Sequence, residues 1–123
     1  MGFLFYRCEK CNGTLAGLNM TGQLSCCDQP LKALKAKRAD DEHLLLSDCL
    51  GDRVTVSVGQ DPHPMNEGHK ILFIALQTKD RLLIKKTGAY RRANAVFHGV
   101  CGEFKVYAFC SEHGLFCDRV KSV

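Results

Sequence analysis

The distribution of cysteine constrains this chain more than any other feature. Eight of its 123 residues are cysteines, and four of them form Cys8-x-x-Cys11 and the adjacent pair Cys26-Cys27 near the N-terminus. The cysteine content is below the roughly 8–10% that is typical of small disulfide-rich proteins. The apolar stretch at residues 1–7 is also shorter than a signal peptide. We therefore expect a cytoplasmic protein with reduced thiols, in which clustered cysteines bind metal.

The N-terminal segment has too few apolar side chains to fold without a staple. A Cys-x-x-Cys turn presents two thiolates to one ion, and a second pair completes a tetrahedral sulfur site for zinc or iron. Because Cys26 and Cys27 have no spacer, we expect a strained backbone there. The basic residues 30–38 predict a linker or one helical turn, and the acidic residues from Asp40 onward put a domain boundary near residue 38.

Residues 39–123 predict an all-β domain. Arg53–Val58 alternates apolar and polar side chains with period two, and short apolar runs separated by Gly and Asp turns follow it. The predicted strands lie at residues 43–46, 53–58, 70–76, 81–85, 95–97 and 104–109. Six or seven short strands over this length favour an immunoglobulin-like antiparallel β-sandwich.

The charge balance excludes some partners. Lys and Arg total 17 against 13 Asp and Glu, so the formal charge is +4. This mild excess attracts small anions without requiring nucleic acid. No apolar run reaches the roughly 18 residues of a transmembrane helix, so we expect no membrane partner.

Histidines and a cysteine recur in two further motifs. One is His63-Pro-Met-Asn-Glu-Gly-His69, whose first histidine is flanked by Pro62 and Pro64, and the other is Cys110-Ser-Glu-His113-Gly114. The prolines favour an extended loop. A single histidine is more often a packed or surface residue than a ligand, so spacing alone leaves a second metal site and ordinary packing both open. His98 is interpreted as having no ligand role.

The order of these motifs resembles the desulfoferrodoxin family, the two-iron superoxide reductases. CxxC and CC are followed by an isolated histidine, then HPMxxxH and then CxxHGL, and the resemblance spans nearly the whole chain. The matching residues of the N-terminal, desulforedoxin-like module are Cys8, Cys11, Cys26 and Cys27. Those of the C-terminal, neelaredoxin-like domain are His43, His63, His69, Cys110 and His113.

The resemblance implies a function. It implies an Fe(Cys)4 centre in residues 1–38 and an Fe(His)4(Cys) centre in residues 39–123, where superoxide is reduced by one electron to hydrogen peroxide. Zinc could replace iron in recombinant protein. The implied partners are the superoxide anion, an electron donor such as rubredoxin and a second copy of the chain in a homodimer.

The chain departs from the family pattern beside the first histidine. The family usually has Glu-Lys-His-Val-Pro, whereas this chain has Asp41-Glu42-His43-Leu44-Leu45. Glu42 thus replaces a lysine that attracts superoxide, and Asp41 stands in for the glutamate that closes the iron site after oxidation.

Other basic residues could compensate for the missing lysine. Arg81, Lys85, Lys86, Arg91 and Arg92 form a run without acidic residues. Such a run is equally expected on a solvated strand and loop. Three cysteines have no family role: Cys101 is predicted to pack in the interior, and Cys49 and Cys117 are predicted to be free thiols.

Two other functions remain open from the sequence. The chain could be an iron-binding electron-transfer protein with poor superoxide turnover, because Glu42 adds negative charge beside the anion site. It could also be a zinc-stapled β-sandwich that serves as a binding module.

Overall fold

The computed structural model describes residues 3–59, 63–88 and 91–121, which contain twelve β-strands and no helix. This confirms the all-β prediction. In the described part of the chain, no helical segment has the length and hydropathy that crossing a bilayer requires.

The chain divides into two compact units, Met1–Lys35 and Ala36–Val123. The first unit consists of two antiparallel hairpins, β1 (Phe3–Arg7) with β2 (Thr14–Leu18) and β3 (Leu24–Cys26) with β4 (Gln29–Leu31). The N–H of Leu34 donates to the carbonyl of Phe5 at 2.7 Å, which ties the segment after β4 to β1.

The helical turn considered for residues 30–38 is absent. This segment begins in β4, and it ends in β5 (Lys37–Arg38), which pairs in parallel with the last strand of the second unit. Sheet pairing therefore overrides the local helix preference of its lysines and alanines.

The second unit is a sandwich of two sheets. Its remaining strands are β6 (Leu45–Leu50), β7 (Arg53–Val58), β8 (Ile71–Gln77), β9 (Leu82–Lys86), β10 (Asn94–Phe97), β11 (Glu103–Cys110) and β12 (Gly114–Lys121). One sheet has the order β10-β7-β6 and the other the order β5-β12-β11-β8-β9. The pairing is antiparallel as predicted, apart from that of β5 with β12, which is parallel.

The six predicted strands are present, β7 with the predicted ends and the other five with shifted ends, but β12 was not predicted. Its sequence lacks regular alternation, because Leu115 and Phe116 are adjacent and both buried while Asp118 and Arg119 are exposed. Pairing with β11 along eight positions forms this strand instead.

The hydrophobic core lies between the two sheets. The period-two pattern of β7 points Val54, Val56 and Val58 inward, where they belong to one cluster with Ile74 of β8 and Val106 of β11. Cys110 and Ile71 are direct partners where β11 ends and β8 begins, so the flanking loops of these strands emerge together at one end of the sandwich.

Candidate metal centres

The N-terminal unit gathers four sulfur atoms. The ligand atoms of Cys8, Cys11, Cys26 and Cys27 all lie within 4.8 Å of one another. After β1 the chain makes a tight turn, in which the N–H of Asn12 donates to the carbonyl of Cys8 at 2.8 Å. The expected backbone strain is found at Cys27, whose φ of 51° lies in the left-handed region.

The thiols of this cluster differ in acidity. Hydrogen bonds from the backbone N–H of Cys11 and of Lys10 lower the pKa of Cys8 to about 6. Hydrogen bonds with the thiols of Cys8 and Cys11 raise the pKa of Cys26 to about 12. Four soft donors at this separation fit zinc or iron, and a cation that binds them displaces the remaining thiol protons.

Four imidazoles in the second unit form a closed ring. Successive ring centroids are separated by 4.8 Å from His43 to His63, 4.8 Å from His63 to His69, 5.1 Å from His69 to His113 and 5.0 Å from His113 to His43. The sulfur of Cys110 lies 3.5 Å from Nε2 of His63 and 3.6 Å from Nδ1 of His113. The structure thus brings together the five residues implied by the resemblance.

His43 is fixed from two sides. Its Nδ1 lies 2.8 Å from Oδ1 of Asp40, and the same oxygen accepts the backbone N–H of His43 at 2.8 Å. The ring of Phe116 stacks on the imidazole with a centroid distance of 4.1 Å and an interplanar angle of 6°. His43 is only 1% exposed.

Local hydrogen bonds shape the loop of His63 and His69. Nδ1 of His63 lies 2.8 Å from the carbonyl of Pro64, which directs Nε2 toward Cys110. Asn66 Oδ1 accepts the backbone N–H groups of Gly68 and His69, so the asparagine closes the turn before the second histidine. Pro62 lies outside the described residues.

Cys110 ends β11 at a change of register. The pairing of β11 with β8 shifts between Phe109 and Cys110, and such irregularities re-aim side chains beside functional sites. Gly114, with φ of 93°, then allows the turn into β12 that places His113 at the cluster. Burial raises the pKa of the Cys110 thiol, so a bound cation would displace its proton.

The donor set fits a transition metal. Within the described residues, Nε2 of His43 and Nε2 of His69 are buried without a hydrogen-bond partner. Buried nitrogens without a partner are unfavourable, and coordination of a cation would satisfy them. Burial lowers the pKa of His63, which favours the neutral imidazole that binds metal. Imidazoles and one thiolate suit iron or zinc.

The two acidic residues that precede His43 differ in their position relative to the imidazole ring. A carboxylate oxygen of Glu42 lies within 4.8 Å of ligand atoms of His43 and His113. Asp41 is exposed and belongs to none of the metal-binding groups found among the described residues. Glu42 is therefore the carboxylate that adjoins the imidazole ring.

The basic run does not act as one patch. Arg81 donates from Nη2 to the carbonyl of Gly99, and Lys85 and Lys86 are exposed on β9. Arg91 and Arg92 line a surface cleft of about 480 Å³ whose wall includes His63. Arg91 and Arg92 therefore share this cleft with one member of the histidine cluster.

The remaining cysteines and His98 lie outside the two clusters. Cys101 is exposed, which contradicts the prediction that it packs in the interior. It follows the buried Val100 in a turn that faces solvent. Cys49, exposed, and Cys117, half-buried, are free thiols as predicted. His98 is exposed after the end of β10.

The sequence interpretation missed two residues that support the site. Asp40 accepts the hydrogen bonds of His43, and the Asp-x-x-His spacing was the available signal. Lys37 donates from Nζ to the carbonyl of His113 at 2.6 Å and lies 5.6 Å from the centroid of Phe116. Nothing in the sequence indicated this contact, because it joins residues 76 positions apart.

Comparison with known proteins identifies relatives. The family model described as desulfoferrodoxin matches residues 48–119. The desulfoferrodoxin homolog of Methanothermobacter thermautotrophicus is 34% identical over 116 residues, which cover 90% of this chain and 94% of the relative.

Solved structures share the fold. The superoxide reductase from Treponema pallidum has a TM-score of 0.82 at 23% identity and covers 94% of this chain and 97% of its own. The superoxide reductase (1Fe-SOR) from Giardia intestinalis has a TM-score of 0.58 at 21% identity, over 68% of this chain and 100% of its own. With the family model and the Methanothermobacter relative matching most of the second unit, this chain belongs to the desulfoferrodoxin family.

Proposed function

We propose that this chain is a superoxide reductase whose reaction takes place at the cluster of His43, His63, His69, His113 and Cys110. The observation that carries this proposal is the closed ring of four imidazoles beside one buried cysteine sulfur. Iron bound there would supply the electron that, with two protons, converts superoxide to hydrogen peroxide.

The protein residues set the charge and access of the site. Four neutral imidazoles and one thiolate would leave a net positive charge on a ferrous ion bound there, which would attract an anion. The Cys110 thiolate would donate electron density to a metal bound there, as a cysteine ligand does in some haem enzymes. His113 is the exposed member of the ring, so superoxide and water can approach from its side.

The N-terminal unit is proposed to bind a second iron. The four sulfurs of Cys8, Cys11, Cys26 and Cys27 support a tetrahedral centre, and zinc is the alternative occupant. In this proposal residues 1–38 comprise the desulforedoxin-like domain with its linker, and residues 39–123 form the catalytic domain. Strand β5 at the end of the linker adds to a sheet of the second unit. The reducing partner would be a small electron carrier such as rubredoxin, in the cytoplasm.

Product stoichiometry tests the reaction. The iron-loaded, reduced protein should yield one hydrogen peroxide per superoxide without releasing dioxygen, whereas dismutation yields one hydrogen peroxide per two superoxides. His63→Ala should abolish the reaction, and His98→Ala, which changes an exposed histidine outside the cluster, should not. Dioxygen release by the wild-type protein, or full activity of His63→Ala, would refute the proposal.

One observation favours a second candidate function. Glu42 puts negative charge within 4.8 Å of two imidazole ligand atoms, which opposes the approach of an anion. The chain would then be an iron-binding electron-transfer protein with poor superoxide turnover. Rapid mixing with superoxide separates the two: reversible reduction by a protein electron donor together with slow reaction with superoxide would support the second candidate.

A further inference from the structure

We propose that Asp40 is a positioning residue of the histidine cluster, which fixes the tautomer and orientation of His43 so that Nε2 is free to bind metal. This inference rests on the proposed function only in taking the cluster as a metal site. Asp40 is not part of the ligand set, and its role follows from its contacts with His43.

The geometry defines the tautomer. An ionised carboxylate only accepts hydrogen bonds, so at 2.8 Å from Oδ1 of Asp40 the Nδ1 of His43 must carry the proton. The lone pair then resides on Nε2, the nitrogen that is buried without a partner in the described residues.

The same oxygen controls the ring position. Oδ1 of Asp40 also accepts the backbone N–H of His43 at 2.8 Å, so one atom is bonded to both the main chain and the ring. Phe116 stacks on the ring face and limits its tilt. Although the Asp40 side chain is 57% exposed, its partner is 1% exposed, so water cannot readily replace the carboxylate at Nδ1.

The acceptor on His43 differs from the acceptor on His63. His63 bonds a neutral carbonyl, that of Pro64, whereas His43 bonds a negative carboxylate. A carboxylate orients the imidazole and makes it a stronger ligand for a metal ion. Loss of such a partner typically lowers metal affinity by about 10–100-fold. The stronger ligand also favours the ferric state, so Asp40 is expected to lower the reduction potential of the site.

Metal affinity of the apoprotein tests the proposal without measuring activity. Full-length wild-type, Asp40→Ala and Asp40→Asn proteins are titrated anaerobically with Fe²⁺ against a chelator. We expect Asp40→Ala to lose about 10–100-fold in affinity at the histidine site. Asp40→Asn keeps an oxygen acceptor without the charge, so its loss should be smaller. Asp48→Asn changes an exposed carboxylate on β6 and should bind as the wild type does.

A second measurement separates positioning from a purely structural role. The reduction potential of iron-loaded Asp40→Asn should be higher than that of the wild type, while thermal unfolding of the two apoproteins should be the same. Unchanged affinity in Asp40→Ala and an unchanged potential in Asp40→Asn would overturn the inference. If the wild-type cluster itself bound no Fe²⁺, the proposed function would fail instead.

Discussion

Reversing the charge of Glu42 should accelerate the reaction with superoxide, chiefly at low ionic strength. The carboxylate lies within 4.8 Å of ligand atoms of His43 and His113, so an anion that reaches the exposed His113 passes within about 5 Å of it. In water, two unit charges at about 5 Å interact with roughly 0.8 kcal/mol. Glu42→Gln removes this repulsion, and Glu42→Lys replaces it by an attraction of similar size.

Screening sets the size of the effect. At 0.01 M salt the Debye length is about 30 Å, so the rate of reaction with superoxide should exceed that of the wild type by about threefold in Glu42→Gln and by about tenfold in Glu42→Lys. At 0.15 M the Debye length is about 8 Å, and these rate increases should fall to about twofold and about fourfold. The wild-type rate should accordingly fall less steeply with salt than the Glu42→Lys rate.

Pulse radiolysis or stopped-flow mixing of superoxide with the reduced protein across a salt series measures these rates. Glu103→Lys is the matched control, since Glu103 begins β11 and Cys110 ends it. Seven residues of strand separate the two by about 23 Å, and at that distance two unit charges in water interact with only about 0.2 kcal/mol even without screening. Equal rates and equal salt slopes for wild type and Glu42→Lys would refute the electrostatic argument without affecting the assignment of the reaction.

Three further predictions concern the metal cluster, assembly and stability. Cys11→Ser should remove the metal of the N-terminal unit, and one equivalent of metal in a four-sulfur site of that variant would contradict the ligand set. The protein should sediment at twice its 13.7 kDa chain mass at micromolar concentration, because Leu4 and Leu15 are 44% and 48% exposed on the same face of the first hairpin. Leu15→Asp should give monomer. Burial raises the pKa of Tyr107 to about 12, so the folded state keeps a proton that the unfolded state loses from about pH 10. The free energy of unfolding should fall by about 2 kcal/mol as the pH rises from about 10 to about 12. Denaturant titrations should show a correspondingly smaller fall in Tyr107→Phe.

Much of the fold could be predicted from local pattern. The alternation in Arg53–Val58 indicated β7, and short apolar runs indicated β8 and β11, because side chains alternate between the faces of a strand. Strand β12 and the parallel pairing of β5 could not be predicted. Their residues form strands because they pair with strands elsewhere in the fold, and such pairing leaves no periodic pattern in the local sequence.

The sequence by itself determined which side chains are available to bind metal and which of them lie close together along the chain. Cys8 and Cys11 share one turn, and His63 and His69 share one loop, so spacing was sufficient to propose that each pair acts together. Spacing alone did not show how the pairs combine; the family resemblance implied the combination, and the tertiary structure accounts for it physically. It closed the ring of His43, His63, His69 and His113, placed Glu42 rather than Asp41 beside it, and stacked Phe116 on His43. These arrangements depend on the register of β11 and on loops that meet at one end of the sandwich, which are properties of the packed sheets and not of any short segment.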